Sequence, residues 1–245
     1  MVKKDNLKLF EKLVIKNINK IIAHERNNIL KAAHLFYDVY KDKGMIFIFG
    51  TGHSHMMAEE GHFRAGGFAP ICPILLSSLM LHEGANLSGV IERKEDITFN
   101  LLEKYNITSK DALVIFTNSG VNQAPLEAAY YGKKIKCKTV GISSLEYSNS
   151  APLSKFRKKL YEVVDIFIDN HGPAGDALLE IAHIYKVAPF STIGGSFILN
   201  SIISEVAELA KKEKPFPFYI SANMDNSAEH NKNLMEKYKN RNPHI

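Results

Sequence analysis

Four short stretches carry the residues whose types and spacing suit chemistry. Gly50-Thr51-Gly52-His53-Ser54 pairs two glycines, which allow a tight turn and close backbone approach, with a serine placed to cap a helix or meet an anion. It is not a dinucleotide fingerprint, because His55 stands where the third glycine belongs, and no Gly-Lys-Ser/Thr follows to make a P-loop. Thr117-Asn118-Ser119-Gly120-Val121-Asn122 is a run of hydroxyl and amide donors around a glycine, ahead of a helical pattern. Such an uncharged nest suits a phosphate dianion, and a polar connection with an N-cap is the plainer alternative. Ser143-Ser144 and Ala188-Pro189-Phe190-Ser191-Thr192 complete the set, with Ser191 as an N-cap. Gly194-Gly195 then costs about 1 kcal/mol each relative to alanine in a helical turn, which close packing would explain. The candidate anion contacts are Gly52, His53, Ser54, Thr117, Asn118, Ser119, Gly120, Asn122, Ser143, Ser191 and Thr192.

The titratable groups lie elsewhere. His55, Glu59 and His62 are spaced i, i+4, i+7 and share one helix face, with His53 and Glu60 beside them and Arg64 further on. That face has metal-ligand types, but a polar helix at the mouth of a cleft needs no metal, and none is expected. His82-Glu83-Gly84-Ala85 offers a carboxylate at a strand end, either a general base or a surface charge beside a turn. Asp169-Asn170-His171-Gly172-Pro173 reads equally as a cleft edge or a turn with Asx caps. Asn223, Asp225, Glu229, His230 and Asn231 read as a solvated tail unless it folds back over a cleft.

These loops need elements to position them. Apolar runs at 45–49, 71–76, 112–116, 139–142 and 163–168 each end in small or polar residues. Near-continuous apolar runs mark strands buried on both faces, hence a parallel sheet. Helical periodicity covers 5–42, 54–65, about 95–105, 122–132, 175–187, 192–212 and 228–238. The alternation predicts an α/β fold: a doubly wound, five-stranded parallel sheet flanked by helices, with a long N-terminal helix and a C-terminal tail from 214. One domain over 1–245 with a core at about 40–212 is expected, its ligand at the C-terminal strand ends.

Composition narrows the setting. The chain has 245 residues, 45% hydrophobic and 23% charged, which excludes disorder. Net charge is +5, but the lysines are spread along the chain, so no nucleic-acid partner is expected. No apolar run reaches the roughly 20 residues of a membrane span, and Met1–Lys4 leads into an amphipathic stretch rather than a signal sequence. Two cysteines without a CxxC fit a reducing, cytoplasmic setting.

Taken together, the loops resemble the sugar isomerase (SIS) family of phosphosugar-binding domains. The resemblance rests on Gly50, Gly52 and Ser54, on Thr117, Ser119, Gly120 and Asn122, and on their order over about residues 5–212. Ala188-Pro189-Phe190-Ser191-Thr192 is similar to the stretch before the last core helix of the arabinose-phosphate isomerases in that family. The His-Glu-Gly-Ala segment and the Asn-x-Asp…Glu-His-Asn tail are similar to single-domain SIS proteins described as phosphosugar-binding. The resemblance implies a sugar phosphate as ligand, homodimers or homotetramers with shared sites, and phosphate held by Ser119, Thr117 and Asn122 with Ser54 nearby. It implies an aldose–ketose isomerase without cofactor, using a carboxylate as proton shuttle and a histidine for ring opening. Glu83 and then Glu60 are the expected bases, with His230 or His82 for ring opening. The zinc positions of the phosphoheptose isomerases fall on Glu60 and Arg64, so that zinc site is not reproduced. An etherase glutamate is likewise replaced by Arg64. A phosphosugar sensor and an amino-sugar-phosphate etherase are the competing readings.

Overall fold

Every residue of Ile46–Gly50 (β1) and Ala112–Phe116 (β3) is buried, as strands covered on both faces must be. The computed structural model describes residues 5–245, so the basic Met1–Lys4 stretch lies outside them. Ile71–Pro73 (β2), Lys138–Ser143 (β4) and Ile166–Asp169 (β5) complete a five-stranded, all-parallel sheet of order β2-β1-β3-β4-β5. Alternate side chains serve opposite faces. Ile46 and Ile48 of β1 join one core with Phe36, Val114 and Ile202, while Phe47 and Phe49 join the other with Leu113, Ile115 and Leu126.

The helices cover both faces. Asn6–Lys41 (α1) is capped by Asp5, whose carboxylate accepts from the Lys8 N–H at 3.1 Å. It buries Ile21, Ile29, Ala33, Phe36 and Val39 against Ser191–Ala210 (α7). That helix is long and apolar enough by composition to cross a membrane, but Ile198, Leu199, Ile202 and Val206 are buried in the core. Its Gly194-Gly195 pair is explained by packing: a Cβ on Gly194 would lie 2.7 Å from the Phe190 ring and one on Gly195 3.0 Å from Met57 Sδ. Met56–Gly61 (α2) lies beside α7. Ala85–Ile91 (α3), Ile97–Leu102 (α4), Gln123–Lys134 (α5) and Leu145–Ser150 (α6) follow in chain order. Cys72 and Cys137 are buried free thiols whose burial pushes each pKa up to about 12.

Three expectations change. Residues 175–187 are not a helix. They form most of an antiparallel hairpin, Ala177–Ala182 (β6) and Tyr185–Pro189 (β7), with Leu179 opposite Val187. Gly175, Asp176 and His183 take left-handed backbone (φ 77°, 71° and 51°), which breaks a helix on either side of β6. Because both faces of the hairpin are largely exposed, it lacks the alternation that marks a half-buried strand. The helix expected near 95–105 starts at Ile97, with Asp96 left-handed at φ 62°, and a separate α3 precedes it. The tail is solvated only in part: Asn223, Asp225 and Glu229 are exposed, whereas other stretches pack against the fold. It runs along the β2 edge of the sheet, with Phe218 bridging to Phe68. Ser227–Tyr238 (α8) buries Leu234 and Tyr238, and Asn242 beyond it is fully buried, with its side-chain nitrogen bonded to the Ile71 carbonyl.

Asp111 is the joint between tail and sheet. Its buried carboxylate accepts from Met45 N, Thr108 N, Thr108 Oγ1 and Arg241 Nη2, all at 2.7–2.9 Å. Removing it strands a guanidinium and two amides. Asp111→Ala should therefore cost about 3–5 kcal/mol, read as a lower urea midpoint. The tail also contributes a pH dependence. Burial holds His62 below its ordinary 6.5, and its Nε2 lies 3.2 Å from the His244 carbonyl oxygen. A depressed imidazole stabilises the fold fully above about pH 6.5 and loses that contribution as pH falls, so the urea midpoint should drop on acidification and drop less in His62→Gln.

Candidate active-site cleft

The order β2-β1-β3-β4-β5 reverses its winding between β1 and β3, so the chain leaves these two neighbours in opposite directions. A crevice opens where they part. Its walls are the loops after β1 and β3. After β1, Gly52 adopts φ 53° with open space where a Cβ would be, and a single 3-10 turn, Gly52–His55, leads into α2. After β3, the loop is anchored through its carbonyl groups. Asn118 O accepts from Ser144 N at 3.0 Å, and Gly120 O accepts from Leu160 N at 2.8 Å. With the carbonyls so engaged, the N–H groups of Asn118, Ser119, Gly120, Val121 and Asn122 donate to no protein group among the described residues. The hydroxyls of Ser54, Thr117 and Ser119 likewise have no hydrogen-bond partner there. This nest of free donors stands at the N-terminus of α5, the positive end of a 12-residue helix.

The cleft between the loops has a volume of about 260 Å³. His53, Ser54, Thr117, Asn118, Ser119, Asn122 and Ser191 line it, and Thr192 lines its narrow inner end beside Gly195. These eight were expected together and lie together. Gly52 forms the turn that presents His53 and Ser54. Gly120 sits beneath the loop at φ 67°. Ser143 is not in the cleft: it is fully buried under Gly120, with its Oγ 3.5 Å from Ser148 Oγ.

The four residues expected to do acid–base work lie elsewhere in this chain. His82 and Glu83 are exposed on the turn before α3 and do not line the cleft. Glu60 is ion-paired with Arg64 and accepts from Asn200 Nδ2 at 3.0 Å. His230 points its Nε2 at the Phe218 carbonyl oxygen, 2.8 Å away. The face shared by His55, Glu59 and His62 is also divided. His55 Nε2 is 3.5 Å from Glu59, while His62 turns to the tail.

Instead the carboxylates at the cleft are Glu92 and Asp176. Glu92 Oε1 accepts from Thr51 Oγ1 at 2.7 Å and from Asn122 Nδ2 at 2.8 Å, so one side chain ties the two loops together. Its main chain is fixed as well, since the Glu92 carbonyl accepts from Ala124 N at 3.0 Å. Oε2 has no partner among the described residues. Asp176 is fully engaged: Oδ1 accepts from Phe190 N and Ser191 N, and Oδ2 from Ser191 Oγ at 2.7 Å. It thereby occupies the N-terminus of α7 with a negative charge of the protein's own. Asn170, at the end of β5, donates to Asn118 Oδ1 at 3.1 Å, and Tyr147 stands at the outer rim. Glu92 sits in a charged run, Glu92-Arg93-Lys94-Glu95-Asp96, that reads as solvated surface, so nothing in its spacing marks it. Asp176 lies where the spacing predicts a helix and the hairpin forms instead.

A family model described as "SIS domain" matches residues 10–144, more than half of the chain. The chain belongs to the SIS domain family. A UPF0309 protein of Brucella canis is 44% identical over 216 residues, 88% of each chain, and one of Geobacillus thermodenitrificans is 42% identical over 226 residues, 91% of each. Among solved structures, a phosphoheptose isomerase from Neisseria gonorrhoeae superposes with TM-score 0.52 at 12% identity, covering 83% of this chain and 98% of its own. The sugar isomerase domain of an RpiR transcription factor from Sphaerobacter thermophilus gives 0.52 at 11% identity, over 97% and 99%. At such identities the likeness is one of fold. The five-stranded parallel sheet with flanking helices is thus the SIS fold, as the sequence pattern predicted.

Gly120 is tightly constrained beneath the SIS cleft. A Cβ there would lie 2.6 Å from Ser148 Oγ and 2.8 Å from Ser143 Oγ, on a backbone that disfavours L side chains. Gly120→Ala should destabilise by about 1–3 kcal/mol in chemical denaturation.

Proposed function

We propose that this cleft binds a sugar phosphate and that the protein is an aldose–ketose isomerase. One observation carries the reading: a run of free, neutral donors at the α5 N-terminus faces a carboxylate with one free oxygen, Glu92 Oε2. The phosphate belongs on the N–H groups of the 118–122 segment with the hydroxyls of Ser119 and Thr117, and Ser54 reaches it or a sugar hydroxyl. A phosphate dianion at a helix N-terminus is stabilised by the dipole and by several charge-assisted bonds. The α7 N-terminus is the poorer seat, because Asp176 already accepts from the Ser191 N–H and hydroxyl there, whereas the 118–122 N–H groups have no protein acceptor among the described residues. Thr192 and Ser191 then bound the sugar end of the cleft.

Isomerisation relocates two protons and transfers no net electrons. A base carries the C2 proton of the open-chain aldose to C1 through an enediolate, while the O2 hydroxyl proton passes to O1, which gives the ketose. The oxidation levels of C1 and C2 exchange within one molecule, so the step needs no redox cofactor. We assign the base to Glu92. Thr51 and Asn122 hold Oε1 and orient the carboxylate, leaving Oε2 for the proton. His53 is the imidazole that lines the cleft and is assigned to ring opening. Glu83 and His82, exposed outside this cleft, could act only in the cleft of a second copy, as in the shared sites of a homodimer or homotetramer.

The test is proton NMR of sugar 6- and 7-phosphates incubated with the protein in D₂O. Loss of the C2 proton signal with growth of a ketose is expected for at least one. Glu92→Gln should slow that exchange by about 10²–10⁴-fold, the usual worth of a general base. Ser119→Ala should weaken binding by about tenfold. Binding without exchange would replace the isomerase by a sensor, and release of lactate from an amino-sugar phosphate would replace it by an etherase. Full activity in Glu92→Gln with loss in Glu83→Gln would move the base to Glu83.

A further inference from the structure

Beside the donor loop the cleft opens into a wider hollow of about 530 Å³. Ser119, Asn122 and Tyr147 line both, so the two form one continuous trough. The first hollow alone falls short of the roughly 300–1,000 Å³ usual for small-molecule sites, and joined to the second it does not. The two differ in charge. No lysine or arginine lines the first, whereas Arg93 and Lys155 line the second. Lys155 is already bonded to Glu95. Arg93 is not so engaged. Its Nη1 donates to the Gly89 carbonyl, and no carboxylate pairs with it among the described residues. Arg93 stands just past the end of α3, one residue from Glu92, and its Nε and Nη2 make no hydrogen bond among the described residues.

We propose that the substrate carries a second oxyanion, a carboxylate or a further phosphate, distinct from the phosphate in the donor loop and held by Arg93. The inference rests on the sugar-phosphate reading of the cleft and narrows its substrate class. The chemistry divides along the trough. Neutral amides and hydroxyls suit one anion at the helix terminus. A planar guanidinium with two free donors suits a second, because its fork matches the two oxygens of a carboxylate or phosphate. A sugar with one phosphate leaves Arg93 in water and gains nothing from it.

Isothermal titration calorimetry on the whole protein tests this. The monophosphates fructose 6-phosphate and sedoheptulose 7-phosphate are compared with fructose 1,6-bisphosphate, sedoheptulose 1,7-bisphosphate and 6-phosphogluconate. At least one compound with a second oxyanion should bind about 10–100-fold tighter than the monophosphates, the worth of one or two bonds to a charged group. Arg93→Gln should abolish that advantage, and added salt should shrink it. A gain confined to 6-phosphogluconate identifies a carboxylate, and one confined to the bisphosphates identifies a phosphate. Monophosphates that bind as tightly as the others overturn the second oxyanion and leave the sugar-phosphate reading standing. So does an Arg93→Gln protein that weakens both classes equally, since Arg93 would then hold the phosphate they share. Failure of every compound to bind overturns both readings.

Discussion

Parallel strands cannot be joined by tight turns, so each pair needs a crossover, and the direction of that crossover decides where a ligand fits. Here the chain crosses one way from β1 to β2 and the other way to β3. The loops after β1 and β3 diverge just beyond the last paired residues, Gly50 and Phe116, and the cleft follows from that divergence. A gap between two strand ends exposes backbone donors that no neighbouring strand can satisfy. The Asn118 and Gly120 carbonyls turn down to the Ser144 and Leu160 N–H groups, and the N–H groups of the segment are left without a protein acceptor among the described residues. The donor nest is thus a product of how the loop is anchored, more than of its polar side chains.

A loop pair split in this way needs a tie. Glu92 supplies it, with one oxygen shared between Thr51 of the first wall and Asn122 of the second. The segment that carries Glu92 is itself held down by Glu127 of α5, whose buried carboxylate accepts from Asp96 N, Thr98 N and Gln123 Nε2. Two carboxylates therefore act at different depths. Glu127 is spent on backbone donors and serves structure, whereas Glu92 keeps an oxygen free. The charges around the cleft are sorted in the same way. Asp176 satisfies the α7 terminus, whereas the N–H groups ahead of α5 have no protein acceptor among the described residues.

Most of the fold was legible because burial on both faces leaves a direct mark on sequence. A strand such as Ala112-Leu113-Val114-Ile115-Phe116 has no polar residue to spare, and its end is signalled by Thr117. The hairpin at 177–189 carries no such mark. Ile181, Ile184, Tyr185 and Val187 are exposed, so no core enforces a period, and scattered apolar residues imitate a helical face. The donor loops were legible for the same reason as the strands: a parallel strand end is where small polar residues and glycines gather. Glu83 follows an apolar run and precedes a glycine, but its turn is exposed and does not line the cleft of its own chain, because chain proximity to a strand says nothing about which way a turn faces.

What the sequence determined by itself, then, is the α/β sheet, the long first helix and the two loops that can meet an anion, since each is written in local burial patterns and local turn chemistry. What only the tertiary structure decided is which charges meet in the cleft. Thr51, Glu92 and Asn122 are 30 to 41 residues apart in contacting pairs, and Asp176 reaches Ser191 across a hairpin. Side chains brought together by winding order have no common period in the chain, so a carboxylate in a charged run becomes distinguishable from its neighbours only when the sheet has closed around it.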